Sequence, residues 1–175
     1  ASIYQIEPVG VVIPRHTADV QAVIETCNRN GTAVLPRGGG TGLSGQTVNH
    51  AVVIDFSKYM HDILEIDSDE RWVRTQPGIT LDELNRQIRP HGLMFTPDPS
   101  TSSRANVGGA MGNNSCGSHS IIYGKTVDHV LEMDVTLSDG SQTVFRNVES
   151  GALEAKLALS GLEGEIYRGV KDISA

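Results

Sequence analysis

The chain has 175 residues, 38% of them apolar and 20% charged, with a formal net charge of −7; that is enough for one domain with a real core, or two small ones, of ordinary globular composition. The acidic balance excludes a general nucleic-acid binder, which would show a basic face, but not a nucleotide held by backbone N–H groups and a local arginine. No apolar run approaches the roughly 18 residues of a membrane span, and Ala1-Ser2-Ile3-Tyr4-Gln5 lacks the basic and apolar regions of a signal peptide.

Val9 to Ile13 reads as a short strand. Thr17 is expected to cap a helix whose apolar face carries Val20, Val23, Ile24 and Cys27 at i, i+3, i+4 and i+7, closed by Asn30-Gly31. Ala33 to Pro36 is a strand, and so is Ala51 to Ile54. Ile63 to Ile66 and Trp72 to Thr75 flank a solvated acidic turn as an antiparallel pair. Thr80-Leu81-Asp82-Glu83 has the form of a capping box; it opens a helix with Leu81, Leu84 and Ile88 on one face, ended by Pro90 to Gly92. From Thr96 to Gly124 periodicity disappears, which predicts a long irregular loop of the kind that is usually functional. Leu131 to Leu137 alternates apolar and polar, Asp139-Gly140 signals a hairpin turn, and Thr143-Val144-Phe145 returns. Ala152 to Val170 is helical in character. Cys27 and Trp72 read as core; His16, His50, His61 and His91 read as caps or surface groups. Cys27 and Cys116 make neither a disulfide framework nor a Cys-x-x-Cys pair, so a reducing, cytosolic setting is expected.

The chemistry concentrates in Pro36-Arg37-Gly38-Gly39-Gly40-Thr41-Gly42-Leu43-Ser44-Gly45, which follows the apolar run Ala33-Val34-Leu35. Glycine reaches positive φ cheaply and lets backbone N–H groups approach a ligand, and successive N–H groups form an anion-binding concavity. The expected ligand is a phosphate or pyrophosphate. Gly40-x-Gly42-x-x-Gly45 matches the dinucleotide fingerprint, but that fingerprint needs a following helix, and Gln46 to His50 cannot make one. The phosphate-loop pattern fails too, for want of Gly-Lys-Ser/Thr. Nine of the 19 glycines fall within 38–45 and 108–117, which points to two cradles for one long ligand. Arg37 could pair with a phosphate or form a salt bridge that stiffens the loop. His119 reads as a polar loop histidine.

Pro36 to Gly45, Thr75-Gln76-Pro77-Gly78, Pro97-Asp98-Pro99-Ser100, Gly108-Gly109, Gly112-Asn113-Asn114-Ser115-Cys116-Gly117 and Tyr123-Gly124 occur in an order and spacing that resembles the FAD-binding (PCMH-type) domain of the vanillyl-alcohol oxidase superfamily. The branch is that of D-lactate, glycolate and D-2-hydroxyglutarate dehydrogenases, and Asn-Asn-Ser-Cys-Gly is similar to long members with a C-terminal iron–sulfur domain. The resemblance runs from about Pro8 to Asp139. It implies an α+β fold, not Rossmann: a small parallel N-terminal βαβ part plus a mostly antiparallel sheet with flanking helices. It implies that N–H groups of Arg37, Gly38, Gly39, Gly40, Thr41 and Gly42, with Pro36, Leu43 and Ser44, hold the FAD pyrophosphate. Gly78, Pro97 and Asp98 would line the nucleotide side. Gly108, Gly109, Asn113, Asn114, Cys116, Gly117, Tyr123 and Gly124 would face the isoalloxazine, ribityl chain or phosphates, with Cys116 a small neighbour of the cofactor. Some relatives attach flavin through a histidine; Thr41 stands at the matching position, so binding is expected to be non-covalent.

The resemblance further implies that the chain is an incomplete FAD-binding domain: a first α/β subdomain over about 8–60, the start of a second α+β subdomain over about 61–150, and a helical insertion over about 151–175. It should bind FAD weakly or not at all by itself. A small 2-hydroxy acid would be bound mainly by a further domain that supplies the catalytic residues, so none is assigned here, and no metal is expected. An iron–sulfur cluster would belong only to a further C-terminal part. No motif specifies the electron acceptor, through which the expected cytoplasmic protein could associate peripherally with the inner membrane. The competing readings are another flavoenzyme of the same fold (an aryl-alcohol or sugar oxidase, or an enolpyruvyl reductase) and a non-enzymatic phosphate-binding module.

Overall fold

A computed structural model describes residues 3–174. Helix α1 (Thr17–Arg29) buries Val20, Ile24 and Cys27 on one face. Its N-cap is His16 rather than Thr17. The Asp19 carboxylate accepts the backbone N–H groups of Arg15 at 2.8 Å and His16 at 3.3 Å, tying down the entering chain and placing a negative charge in the first turn.

The helix packs against a parallel sheet of β1 (Gly10–Val12), β2 (Val34–Arg37) and β3 (Val52–Asp55), ordered β1-β3-β2. Val20, Ile24, Ile54 and Met60 form the core between them. Pro36 is tolerated because β2 lies at the sheet edge. Parallel neighbours need a crossover. Helix α1 supplies it between β1 and β2, but between β2 and β3 the crossover is the glycine-rich segment 38–51, with no helix. That topology removes the Rossmann option and sets the loop at the carboxyl ends of the strands.

Next come the hairpin β4 (Ile63–Asp67) and β5 (Trp72–Thr75) and helix α2 (Leu81–Ile88). Thr80 Oγ1 caps α2 by accepting the Glu83 N–H at 3.3 Å. The Glu83 carboxylate turns instead to Arg86 and Gln87, and these bonds, Arg86's first, pull its pKa down to about 2. Leu81, Leu84 and Ile88 join Ile79, Ala105, Val107 and Ala110 in the second core cluster. Two of those residues belong to helix α3 (Val107–Asn113), which, with the single turn α4 (Ser120–Tyr123), lies inside the segment expected to be irregular. Gly108, Gly109 and Gly112 weaken helix propensity by about 1 kcal/mol each, so the helix has no strong periodic signature; burial of Val107 and Ala110 holds it.

The chain ends with hairpin β6 (Glu132–Thr136) and β7 (Gln142–Arg146) and helices α5 (Ser150–Leu157) and α6 (Gly161–Ser174). The expected single helical stretch thus breaks at 158–160, where the Arg168 guanidinium donates to the Leu157 and Leu159 carbonyls at 2.8 and 2.9 Å. The antiparallel part is two hairpins without a shared ladder among the described residues. Arg74 bridges them by pairing with Glu132 and, at 2.9 Å, with Asp134. Trp72 is only half-buried and outside both clusters.

Candidate functional site

Three segments converge at the carboxyl end of the parallel sheet: the loop 38–45, the turn at Pro77-Gly78, and α3 with its preceding residues. Their junction is Asn106, a residue that sequence reasoning missed. It is 3% exposed; its side chain accepts the Gly39 N–H and donates to the Gly78 carbonyl. A second link runs from Gln46 Nε2 to Asn113 Oδ1, 3.4 Å apart. The two glycine-rich stretches therefore belong to one surface.

Much of the glycine content is explained by packing of the chain against itself. A Cβ on Gly39 would run into the Arg104 carbonyl oxygen, and one on Gly38 would lie 2.5 Å from Asn106 Oδ1. Gly78 is buried against the Phe56 and Met60 carbonyls, with its N–H donating to Met60 O at 2.8 Å. Both of its backbone polar groups are thereby used, so it shapes the site from beneath. Gly108 packs on Pro77 and donates to the Pro77 carbonyl at 2.9 Å. Pro97 is fully buried, so its side chain is core rather than lining.

What stays open is narrower. Within 38–45 the Gly39 N–H is taken by Asn106, and the other N–H groups, the run Gly40, Thr41, Gly42, Leu43 and Ser44 among them, have no hydrogen-bond partner among the described residues. Gly40, at φ +64°, turns the chain there. The Arg37 guanidinium lies beneath it and donates to the Thr47 carbonyl at 3.1 Å. Arg37 makes no salt bridge among the described residues; it ties the loop's two ends and puts a positive charge under the open amides. Across the surface, Gly109 and Gly112 of α3 leave open space where a Cβ would stand, and Asn113 beside them is exposed. A run of unpaired amides beside a cation has the donor chemistry to receive an anionic group.

The remaining site candidates are fastened to one another. Asp98 accepts from Ser118 Oγ at 3.0 Å and from the His119 N–H at 3.2 Å, and its Oδ2 lies 2.5 Å from His119 Nδ1. The hydrogen bond from the His119 ring, then that from its backbone, holds the Asp98 carboxyl below the ordinary carboxylate range. Gly117 fits against Asp98 and donates to Ser120 Oγ at 3.0 Å. Asn114, at φ +47°, accepts the Val127 N–H at 3.0 Å. Gly124, at φ +84°, donates to Ser120 O at 2.9 Å, and the Tyr123 carbonyl meets His129 Nε2 at 2.8 Å. Cys116 is exposed. Because the Asp98 pKa is lowered by folding, its stabilisation is present at neutral pH and is lost as pH falls through and below the carboxylate range. The Asp98→Asn protein is expected to lose less of its thermal midpoint than the parent between pH 5 and pH 3, while exchanging amides of 117–119 faster at pH 7; equal acid losses would contradict the fastening role.

An FAD binding domain model matches residues 8–146, most of the chain. The chain belongs to the FAD binding domain family. D-2-hydroxyglutarate dehydrogenase of Pseudomonas putida is 42% identical over 175 residues, covering 98% of this chain and 17% of that protein. Glycolate oxidase subunit GlcD of Bacillus subtilis is 34% identical over 139 residues, 78% of this chain and 29% of the subunit. Among solved structures, alkyldihydroxyacetonephosphate synthase superposes with a TM-score of 0.71 at 25% identity, covering 80% of this chain and 26% of that one. The architecture is the PCMH-type FAD-binding fold, with its small parallel sheet and antiparallel hairpins. This FAD binding domain chain spans less than a third of each relative named. Among the described residues no helix is long and apolar enough to cross a membrane.

Proposed function

We propose that the chain is the FAD-binding portion of a flavin-dependent oxidoreductase that oxidises a small D-2-hydroxy acid. The observation that carries this reading is the run of open amides from Gly40 to Ser44 above Arg37, in a chain of the FAD binding domain family. A pyrophosphate there exchanges water for oriented N–H dipoles that cost no reorganisation. When bound, FAD would supply the redox chemistry, with flavin N5 as the acceptor for a hydride from C2 of the 2-hydroxy acid. This chain's own part is to bind and orient. Gly40 to Ser44 hold the phosphates, Arg37 adds charge beneath them, and the bare backbone at Gly109 and Gly112 lets a flat ring or ribityl chain lie close. Thr41 offers no side chain for a flavin linkage, so the cofactor is held non-covalently. The substrate domain and the catalytic residues lie elsewhere in the whole protein, as does any iron–sulfur cluster.

The substrate class rests on the relatives: D-2-hydroxyglutarate dehydrogenases match nearly the whole chain at 40–42% identity, whereas alkyldihydroxyacetonephosphate synthase matches at 25%. The whole protein, purified from its gene, is expected to be yellow, to release its flavin on acid denaturation, and to lose flavin absorbance on anaerobic addition of D-2-hydroxyglutarate, D-lactate or glycolate. Colourless protein that fails to take up FAD would contradict the cofactor; a flavin that no 2-hydroxy acid reduces would contradict the substrate class and favour another flavoenzyme of this fold. The 175-residue chain alone is expected to bind FAD weakly, and sub-micromolar affinity with a perturbed flavin spectrum would show that it needs no further domain.

A further inference from the structure

We infer that Asn106 is a positioning residue for the cofactor cradle: by taking the Gly39 N–H inward and the Gly78 carbonyl from below, it sets which amides of the loop face the ligand. The inference rests on the FAD reading. An Asn at a helix N-cap ordinarily bonds its own helix's free N–H groups. Asn106 occupies that position in α3, at φ −95° and ψ 153°, yet makes no capping bond. Its side chain reaches away from the helix, to two segments distant in sequence.

Its backbone is fixed as well. Asn106 bridges Thr80, and Val107 N donates to Ile79 O at 3.0 Å, so the side chain projects from an anchored point above the second core cluster. Gly38 and Gly39 are glycines because Asn106 and the Arg104 carbonyl occupy the space of a Cβ. Both glycines make room for Asn106, but only Gly39 gives it an N–H; the amides from Gly40 to Ser44 are left to the ligand. With the Gly39 N–H turned in, the chain reverses at Gly40 and the next amides face out.

In the whole protein, stripped of flavin, Asn106→Ala and Asn106→Ser are tested against Val107→Ala, which trims the adjacent core without touching the clip. The readouts are the Kd for FAD by flavin fluorescence, the apo thermal midpoint, and hydrogen exchange of 38–44. The clip predicts a Kd raised at least ~10-fold in both Asn106 variants, with faster exchange at Gly39, and a Kd within about 3-fold of the parent in Val107→Ala even where its midpoint falls as far. If the Asn106 variants keep the parent Kd, or if Val107→Ala loses as much affinity, the positioning role is overturned. Absence of FAD binding by the parent protein would overturn the cofactor reading itself.

Discussion

Gly39→Ala in the whole protein is expected to abolish tight FAD binding and to lower stability together. The Cβ would enter the space of the Arg104 carbonyl oxygen, with Asn106 Oδ1 at 3.2 Å on the other side. A backbone carbonyl cannot swing aside as a side-chain end can. Either the loop lifts, breaking the Gly39–Asn106 bond, or the 101–105 turn shifts, and that turn is tied by Arg104 N and Ala105 N to the Thr101 carbonyl at 2.8 and 2.7 Å. Overpacking of this kind costs about 1–3 kcal/mol, and the buried carbonyl of Gly78 loses its donor if Asn106 moves with the loop. Gly109→Ala is the control. Its Cβ meets nothing within 4 Å, and alanine is the better helix former by about 1 kcal/mol, so the flavin-free protein should be unharmed or stabilised while FAD binding weakens. Thermal melts with and without FAD read both effects. A Gly39→Ala protein with parent stability and parent affinity would contradict the packing described.

The second large effect belongs to the core. Leu81 is fully buried in the cluster of Ile79, Leu84, Ile88, Ala105, Val107 and Ala110. Leu81→Ala should cost about 2–5 kcal/mol, the transfer term plus the cavity it leaves, against the roughly 5–15 kcal/mol of a typical domain. Denaturant titration would show the midpoint fall with its slope unchanged. The backbone bond from the Leu81 N–H to the Ala105 carbonyl, at 3.0 Å directly before Asn106, survives this substitution, so the loss is one of core packing. A Leu81→Ala protein within about 1 kcal/mol of the parent would contradict the packing of this cluster.

Local patterns made most of this fold legible. The apolar spacing of α1 and α2, the alternation of β6 and the Asp139-Gly140 turn are short-range signals, and each appears where its residues place it. The absent helix after Gly45 ruled out a Rossmann site from sequence alone, and the crossover through 38–51 is its structural counterpart. Helix α3 was hidden because its three glycines erase the propensity that marks a helix; only burial of Val107 and Ala110 makes it form. Within the site, glycine content marks the 38–45 loop and the 108–117 segment, and the Gly39–Asn106 and Gln46–Asn113 hydrogen bonds bring them onto one surface. The division of labour among their glycines was not legible. Gly78 and Gly109 are equally small in sequence, yet one is enclosed by the Phe56 and Met60 carbonyls and the other faces open space. Asn106 joins partners 67 and 28 residues away, a separation over which no local pattern gives warning. The fastening of Asp98 to His119 and Ser118, some 20 residues on, is likewise beyond the reach of a local pattern.

In the proposed complex the Gly40–Ser44 amides, with Arg37 beside them, hold the pyrophosphate of FAD. A crystal structure of the whole protein loaded with FAD tests it most directly. The account predicts pyrophosphate oxygens within hydrogen-bonding distance of those amides and the Gly39 N–H still turned to Asn106. A pyrophosphate bound away from this loop, or one bonded to the Gly39 amide in place of Asn106, would contradict it.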